Sequence, residues 1–401
     1  MDPERTRAGV FTRTRTLDVR ATLQPWRDLT ITLTANHSRT DRTDVQYMQA
    51  GHPRLYGGDF TMTGVGLRGF FAPLRAESGY PSKAFDEFLL ARSTIAQRWR
   101  EQGLVGASTL SPQSSALLIP AFRAVYMRSG GARGVSLSSL PSLSSVLPNW
   151  SLTYTGLSRW EWLKKYFRSV SLRHAYRGIY TVGSFSSFAG WSGADPDGLG
   201  MIRRQASDGS GALSSEASYA YDFTSVAFQE SFYPLIGIDM TWHSGVGMTA
   251  QWRESRGRVL NLAAYSLIES MTKEVNVGLS YKVADLTQLF RPRPRGGRRS
   301  RQRTGQAKKG VASSPKGLTL RTDYSLRNTA TLIRSIQTGT AEATAGQLEH
   351  RLRVTLDYDL SRLLGLKVYY DYSRQRPLVS TYAYPMATSS FGVSLRISLM
   401  N

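Results

Sequence analysis

The chain has 401 residues, a formal net charge of +22 and no cysteine, and these facts exclude several classes of protein. A hydrophobic content of 41% is ordinary for a folded protein and too high for a disordered one. The absence of cysteine excludes disulfide scaffolds, cysteine metal sites and thiol catalysis. Because no run of about 20 apolar residues occurs, these residues contain no helical membrane span.

The first predicted element is a β-hairpin, with strands over 13–23 and 29–35 and a turn at 25–28. On the second strand leucine and isoleucine alternate with threonine, a period of two that an extended strand satisfies. We expect the polar segment 40–59 to be a long loop and 60–67 to be the next strand. The GxGxxG match at 64–69 is not followed by a helical pattern, so a glycine-rich strand is favoured over a nucleotide site.

A helical pattern interrupts the strands at Ser82 to Glu101, with Ser82 as N-cap and Gly103 as stop signal. Its predicted packing face consists of Phe85, Phe88, Leu89, Ile95 and Trp99. A second apolar segment, 116–126, is too short to cross a membrane and is expected to be buried against protein. Two interpretations stay open: an insertion that fills a lumen or caps one mouth of a barrel, and ordinary core packing of a mixed domain.

Strand and loop patterns alternate over the middle of the chain. Strands are predicted over 149–157 and 170–185, and loops over 130–147 and 189–215. Between the two strands, 160–167 is rich in aromatic residues and lysine, a composition typical of a chain that meets a membrane interface.

The segment 233–283 reads as an antiparallel meander of four strands. Turns are predicted at Gly245 and over 253–257, and no helix separates the strands. Parallel pairing would need crossovers of about a dozen residues, so the pairing must be antiparallel.

A strongly basic segment follows, interleaved with proline, glycine and serine, and is predicted to be a disordered loop. Its arginines are Arg291, Arg293, Arg295, Arg298, Arg299, Arg301 and Arg303. It could tether anionic lipid, lipopolysaccharide or nucleic acid, or it could simply be a solvated insertion.

The last strand has the cleanest alternation in the chain and resembles the membrane-insertion signal of outer-membrane proteins. Its apolar positions are Phe391, Val393, Leu395, Ile397 and Leu399. With 11% aromatic residues and regularly spaced strands, the sequence favours a membrane barrel. In a soluble sandwich the same strand would be an edge or core strand.

Catalytic patterns are not persuasive. The five histidines show no metal-ligand spacing, and the SxxK match at 313–316 lacks its companion motifs. Strand carboxylates such as Asp239, Asp357, Asp359 and Asp371 are expected to face water or to pair with arginine. We therefore predict neither an enzyme nor a cofactor or metal site.

Four stretches resemble the C-terminal region of the SprA/Sov family, the outer-membrane translocon of type IX secretion and gliding motility in Bacteroidetes. They are LLIPAFRAVY from Leu117, LPNWSLTYTGLS from Leu147, KYFRSVSLRHAYRGIYTVGSF from Lys165 and SFYPLIGIDMTW from Ser231. The resemblance covers most of the chain. The basic segment departs from the family pattern, and Met1 would be an internal position of a family-length chain, with the signal peptide upstream.

The resemblance implies part of a very large antiparallel transmembrane β-barrel that exports folded cargo carrying C-terminal sorting domains. It implies as partners outer-membrane lipid, a PorV-type lateral-gate protein, a plug protein and, indirectly, an inner-membrane motor. The predicted units are barrel strands and a loop over 1–80, a helical insertion over 81–127, central strands over 128–284, the basic loop over 285–316 and terminal strands over 317–401.

Two other classes stay open. One is the C-terminal barrel of another outer-membrane transporter, such as a TonB-dependent receptor. The other is a soluble, basic, β-rich protein that binds nucleic acid through the arginine run, with an affinity that falls steeply with salt.

Overall fold

The computed structural model describes residues 9–45, 54–67, 69–71, 79–103, 110–127, 130–188, 190–195, 197–205, 213–283, 317–359, 364–379 and 384–397. The predicted all-β class is confirmed: the described residues form a mostly antiparallel β-sheet with a small helical insertion.

Fifteen strands are described. They are β1 (Gly9–Trp26), β2 (Leu29–Val45), β3 (Arg54–Thr63), β4 (Asn149–Tyr154), β5 (Phe167–Ser187), β6 (Gly200–Gln205), β7 (Leu213–Ser218), β8 (Tyr221–Phe223), β9 (Ser225–Trp242), β10 (Val246–Asn261), β11 (Ser266–Val283), β12 (Leu318–Ser335), β13 (Ala341–Asp359), β14 (Leu364–Pro377) and β15 (Met386–Ile397). Thirteen form one sheet in the order β1-β2-β3-β5-β9-β10-β11-β12-β13-β14-β15; β4 pairs with β2 and β5, and β8 pairs with β5. β6 and β7 form a separate hairpin.

The helices are α1 (Lys83–Glu101), α2 (Ser115–Tyr126), α3 (Gly131–Gly134) and α4 (Glu161–Lys164). The Ser82 hydroxyl accepts a hydrogen bond from the Phe85 amide and starts α1, and Gly103, with φ of 71°, follows its end. Among the described helices, none combines the length and the apolar content that crossing a bilayer requires.

The helical insertion, described over 79–103, 110–127 and 130–147, packs on one face of the sheet and builds the main hydrophobic core there. Phe85, Phe88, Ile95 and Trp99 of α1 are buried, and Leu89 is partly buried against the same cluster. Every residue of α2 from Ala116 to Tyr126 is buried. The residues of the thirteen-stranded sheet in this core are Phe60, Met62, Tyr180, Val182, Phe185, Phe223, Val226, Phe228, Leu260 and Leu267.

The segments predicted to be loops contain more strand than expected. β2 continues to Val45 and β3 begins at Arg54, so most of the described part of 40–59 is paired strand. The predicted loop 189–215 contains β6 and the start of β7. Polar residues are common in these segments because only one face of each strand needs to be apolar.

The predicted turn at 253–257 is wrong, and the meander there has three long strands where four were expected. β10 runs unbroken through these residues, paired with β9 and β11, and the chain turns at 262–265. The charged residues Glu254, Arg256 and Arg258 imitate a polar turn in the sequence. In the structure these three side chains are buried.

The predicted basic loop, 285–316 with its seven arginines, and the terminal residue Leu399 lie outside the described residues.

Candidate functional site: a two-faced sheet and a buried anchor

Two neighbouring rows of residues run across the sheet and differ completely in polarity. The first row, read through the strand register, is Trp26, Leu29, Tyr154, Leu172, Ile238, Ala250, Val277, Tyr324, Leu352 and Tyr372. The second lies one residue along on the nine strands from β2 to β14 and is Thr30, Thr153, Arg173, Gly237, Gln251, Asn276, Ser325, Arg351 and Ser373. On β15 both rows are polar, with Ser389 paired to Tyr372 and Thr388 paired to Ser373. Successive strand residues point to opposite faces, so the sheet has an apolar face and a polar face.

The apolar face is exposed over a band of limited height. On β11 the band extends from Val275 to Val283, and at about 3.3 Å per residue this stretch is about 26 Å long. Val275 and Leu279 are 39% and 45% exposed, and on β15 Phe391 and Leu395 reach 69% and 57%. The band crosses the strands obliquely: the row that starts at Trp26, at one edge of the band on β1, ends at Tyr372, at the opposite edge on β14. Such stagger is typical of tilted barrel strands.

Exposed aromatic side chains border this band at the end of the sheet where β1 turns into β2. We call this end the lower end. Trp26, Trp160, Trp162 and Tyr166 are each more than half exposed. Trp160, Trp162 and Tyr166 belong to the connection around α4, where the sequence predicted an interfacial composition.

The polar face forms a groove of about 750 Å³ over strands β9 to β13, lined by charged and hydroxyl side chains. Asp371 of β14 accepts hydrogen bonds from both Arg351 and Arg353, with Nη2–Oδ2 distances of 2.9 and 2.6 Å. Arg173 pairs with Asp239 at 2.6 Å. Arg321 lines the same groove and has no ion pair among the described residues. The groove is therefore lined by charged side chains, several of them paired, that are open to water.

A second groove on the polar face, of about 720 Å³, lies over β1, β2, β4 and β5. Its lining includes Arg20, Asn36, Asn149 and Arg177. The Asn149 carboxamide oxygen accepts a hydrogen bond from the Gly178 amide at 2.7 Å, which fixes the junction of β4 and β5. The polar face therefore carries two grooves, one over the strands near β1 and one over the strands from β9 to β13.

At the upper end, opposite the lower end, the apolar face carries charged side chains that are buried or nearly buried beneath the insertion. Arg258 Nη1 lies 2.9 Å from Glu230 Oε2, with side chains 2% and 0% exposed. Arg334 Nε lies 2.6 Å from Glu269 Oε2, and Arg258 Nε lies 3.8 Å from Glu269 Oε1. These four residues come from β9, β10, β11 and β12, one from each, and these strands are paired in that order. We call the four residues the ionic anchor.

The ionic anchor holds the backbone of the insertion. Glu230 Oε1 accepts from the Leu67 amide at 2.7 Å and from the Tyr176 hydroxyl at 2.8 Å. Arg334 Nη1 donates to the Tyr80 carbonyl at 2.7 Å. Next to the anchor, Arg256 Nη1 donates to the Gly69 carbonyl at 2.6 Å. Both ends of the segment that enters α1 are therefore bound to the sheet by charged side chains.

The anchor also explains the glycine-rich motif at 64–69. The Gly66 amide donates to the Tyr176 hydroxyl, and a Cβ on Gly66 would lie 2.3 Å from the Tyr126 carbonyl oxygen. Gly69 adopts φ of 63°. These glycines permit close backbone approach to a buried carboxylate, and the segment forms no phosphate-binding helix start.

Aromatic rings of the insertion complete the enclosure. The Arg258 guanidinium lies 4.9 Å from the Tyr126 ring centre, and that of Arg334 lies 5.5 Å from the Phe85 ring centre. Burial raises the pKa of the Tyr126 hydroxyl well above its usual value, and likewise that of Tyr219, whose hydroxyl donates to the Leu137 carbonyl at 2.6 Å.

The sequence-predicted residues fall into different regions. The predicted face of α1 lies in the insertion core, and the described residues of the terminal strand lie together on the apolar face. The ionic anchor was missed. Its only sequence signal is alternating charge in β10 at Glu254, Arg256 and Arg258, which resembles a solvated turn.

No described group of residues has the arrangement of a metal site. The four described histidines contact backbone carbonyls or aromatic rings: His174 and His243 approach the Leu235 and Lys164 carbonyls, and His37 and His350 pack against Phe60 and Tyr324.

No protein-family model matches the chain, and no curated protein matches it significantly. Among solved structures, the chain is similar to the β domain of the Bordetella autotransporter BrkA, with 10% identity, a TM-score of 0.19, and coverage of 98% of this chain and 99% of that one. It is also similar to OmpT, an outer membrane protein of Vibrio cholerae, with 9% identity, a TM-score of 0.23, and coverage of 97% and 99%. TM-scores this low do not define a shared fold.

Proposed function

We propose that this chain forms part of the wall of an outer-membrane β-barrel, with the apolar face toward lipid and the polar face toward a water-filled lumen. The supporting observation is the pair of adjacent rows, one apolar or aromatic and one polar or glycine, across the nine strands from β2 to β14 that both rows cross. A soluble sheet buries its apolar face against protein. Here that face stays exposed over a band whose height fits the hydrocarbon layer.

Within that class, we propose that the wall belongs to a protein-export channel of the SprA/Sov type, as the sequence resemblance implies. A wide polar lumen with paired charges suits a conduit because it binds water without holding cargo tightly. On this proposal the channel performs no chemistry. Its partners would be a PorV-type lateral-gate protein, a plug protein and cargo with C-terminal sorting domains.

Membrane location can be tested on the full-length protein in its cell envelope. We expect it in the outer-membrane fraction, resistant to alkaline extraction and dependent on detergent once removed. A compact monomer that is soluble without detergent would overturn the proposal of a barrel wall.

The export role needs a separate experiment. Depletion of the full-length protein should cause cargo with C-terminal sorting domains to accumulate in the periplasm, and affinity purification should recover a lateral-gate protein. Normal export by depleted cells would remove the export role and leave the barrel wall standing. Retention of cargo fused to an unrelated signal would indicate a general envelope defect and would also count against the specific role.

A further inference from the structure

We propose that outward-facing arginines just above the apolar band bind the phosphate groups of outer-leaflet glycolipid. The inference rests on the proposed barrel wall and adds a ligand and a binding site to it. The residues are Arg374 and Arg376 on β14, with Arg13 and Arg15 on β1 as a second group beyond the insertion.

The strand register places these arginines on the lipid-facing side. On β14 the apolar face carries Leu366, Val368, Tyr370 and Tyr372, and the next two positions of the same period are Arg374 and Arg376. On β1 the corresponding series ends at Leu17 and continues as Arg15 and Arg13. Both groups therefore begin where the apolar band ends.

Their charges are available to a ligand. Arg13, Arg374 and Arg376 are exposed, and none has a carboxylate within ion-pair distance in the described part of the chain. Arg15 lies 4.0 Å from Asp41, which also accepts a hydrogen bond from Arg39 at 2.8 Å. On the same face, the buried Arg258 is paired with Glu230 at 2.9 Å. Arg13, Arg374 and Arg376 differ because they face outward without a carboxylate partner among the described residues.

The opposite edge of the band differs in chemistry. On the strands, the outward positions there are aromatic or aliphatic: Trp26 on β1, Tyr281 on β11, Tyr358 on β13 and Leu364 on β14. Basic residues at that edge are Lys164 and Lys165 in the α4 connection and Arg168 in the irregular first residues of β5, and Lys165 lies over the Tyr166 ring. Arginine is therefore concentrated on the strands at the edge nearer the insertion.

The lengths of the connections at the two ends of the sheet identify the upper edge of the band with the outer leaflet. The connection 188–224 leaves the sheet at the upper end, and the insertion, which leaves the sheet between β3 and β4, packs over that end. Together they are longer than the connection 284–317 at the lower end, and in outer-membrane barrels the longer loops are extracellular. Guanidinium groups bind phosphate oxygens through two parallel hydrogen bonds, and their aliphatic stems can lie along apolar surface. A phosphorylated glycolipid of the outer leaflet supplies both the acyl chains and the phosphates that this edge fits.

The experiment compares two charge-matched variants of the full-length protein in vesicles that contain a phosphorylated lipid A-type glycolipid. Arg374→Gln with Arg376→Gln removes two charges at the upper edge, and Lys164→Gln with Lys165→Gln removes two at the lower edge. We expect the upper-edge variant to lose about fivefold in glycolipid binding for each arginine, and the lower-edge variant to match the unmodified protein.

Two further controls make the outcomes decisive. Glycolipid without its phosphates should bind equally weakly to all variants, and inorganic phosphate should not displace the bound lipid. Equal binding by the upper-edge variant, loss confined to the lower-edge variant, or indifference to lipid phosphates would each overturn the inference. Detergent dependence and outer-membrane location, measured on the same samples, report separately on the barrel wall.

Discussion

Along one face of β10, the side chains of the lower region and those of the upper region are opposite in polarity and in exposure. In the lower region Trp252 is 41% exposed, while in the upper region the charged residues Glu254 and Arg258 are each 1% exposed. Hydrophobic side chains are thus outside and charges inside along a single strand face. In a uniform aqueous solvent both arrangements are unfavourable. They are consistent when the lower region meets lipid and the upper region is covered by the insertion.

The strand register also shows on which face of the sheet the insertion lies. The sequence left open whether it fills a lumen or caps a mouth. The strand register places it on the apolar face, above the exposed band and away from the polar grooves. On the proposed membrane topology it lies on the outside of the wall, beyond the hydrocarbon layer, and leaves the lumen free.

The largest effect is expected at the ionic anchor. Arg258→Met leaves Glu230 buried without its cation, and removing one partner of a buried ion pair costs about 3–5 kcal/mol. We expect the insertion to detach, measured as faster hydrogen exchange and proteolysis over 83–126 in the full-length protein in detergent. Arg396→Met is the matched control: its pair with Asp359, at 3.6 Å between exposed side chains, should contribute less than about 1 kcal/mol.

Equal protection of the insertion in these two variants would show that the anchor does not hold it. Combining Arg258→Met with Glu230→Gln should recover part of the loss because the orphaned charge is removed.

In the lower region the test is the polarity of each face. Leu395→Arg places a charge on the apolar face of β15, where an arginine at mid-membrane costs about 2–4 kcal/mol. We expect impaired barrel assembly, measured by heat-modifiable mobility of the protein from outer membranes. Ser394→Arg puts the same residue on the polar face one position away and should assemble normally. If both variants assemble equally well, the assignment of faces is wrong.

A smaller effect is expected from a single buried hydroxyl. Tyr176→Phe removes the donor to Glu230 and the acceptor for the Gly66 amide, which should cost about 1–3 kcal/mol of insertion stability. Tyr370→Phe, at a 39% exposed position of the apolar band, should be nearly neutral. Hydrogen exchange over 64–67 checks this, and unchanged protection there would argue against the hydroxyl bridge.

The smallest effect concerns alkaline pH. Because burial raises the pKa of Tyr126 and Tyr219 above the unfolded value of about 10, their neutral form stabilises the insertion below pH ~10. That contribution should be lost as pH rises further. Tyrosinate absorbance should show a late class of tyrosines that is absent in Tyr126→Phe with Tyr219→Phe. Titration of every tyrosine near the ordinary value would contradict this.

Periodicity in the sequence predicts the faces well where each strand has one apolar side, as from Leu366 to Tyr372. The helix α1 is predicted by its Ser82 cap and its aromatic spacing. The ionic anchor could not be predicted, because Glu230, Arg258, Glu269 and Arg334 are far apart in the chain and only strand register brings them together. Local composition also misplaced the turn at 253–257, because buried paired charges and exposed turn charges look alike.

The most direct test uses the absence of cysteine from these 401 residues. Single cysteines at Val277 and at its neighbours Asn276 and Gly278 would be placed in the full-length protein in outer-membrane vesicles. We expect a charged, water-soluble thiol reagent to modify Asn276→Cys and Gly278→Cys, whereas Val277→Cys should resist it and react with a lipid-dissolved reagent. Equal aqueous modification at all three positions would contradict the claim that the two faces of this sheet meet different solvents.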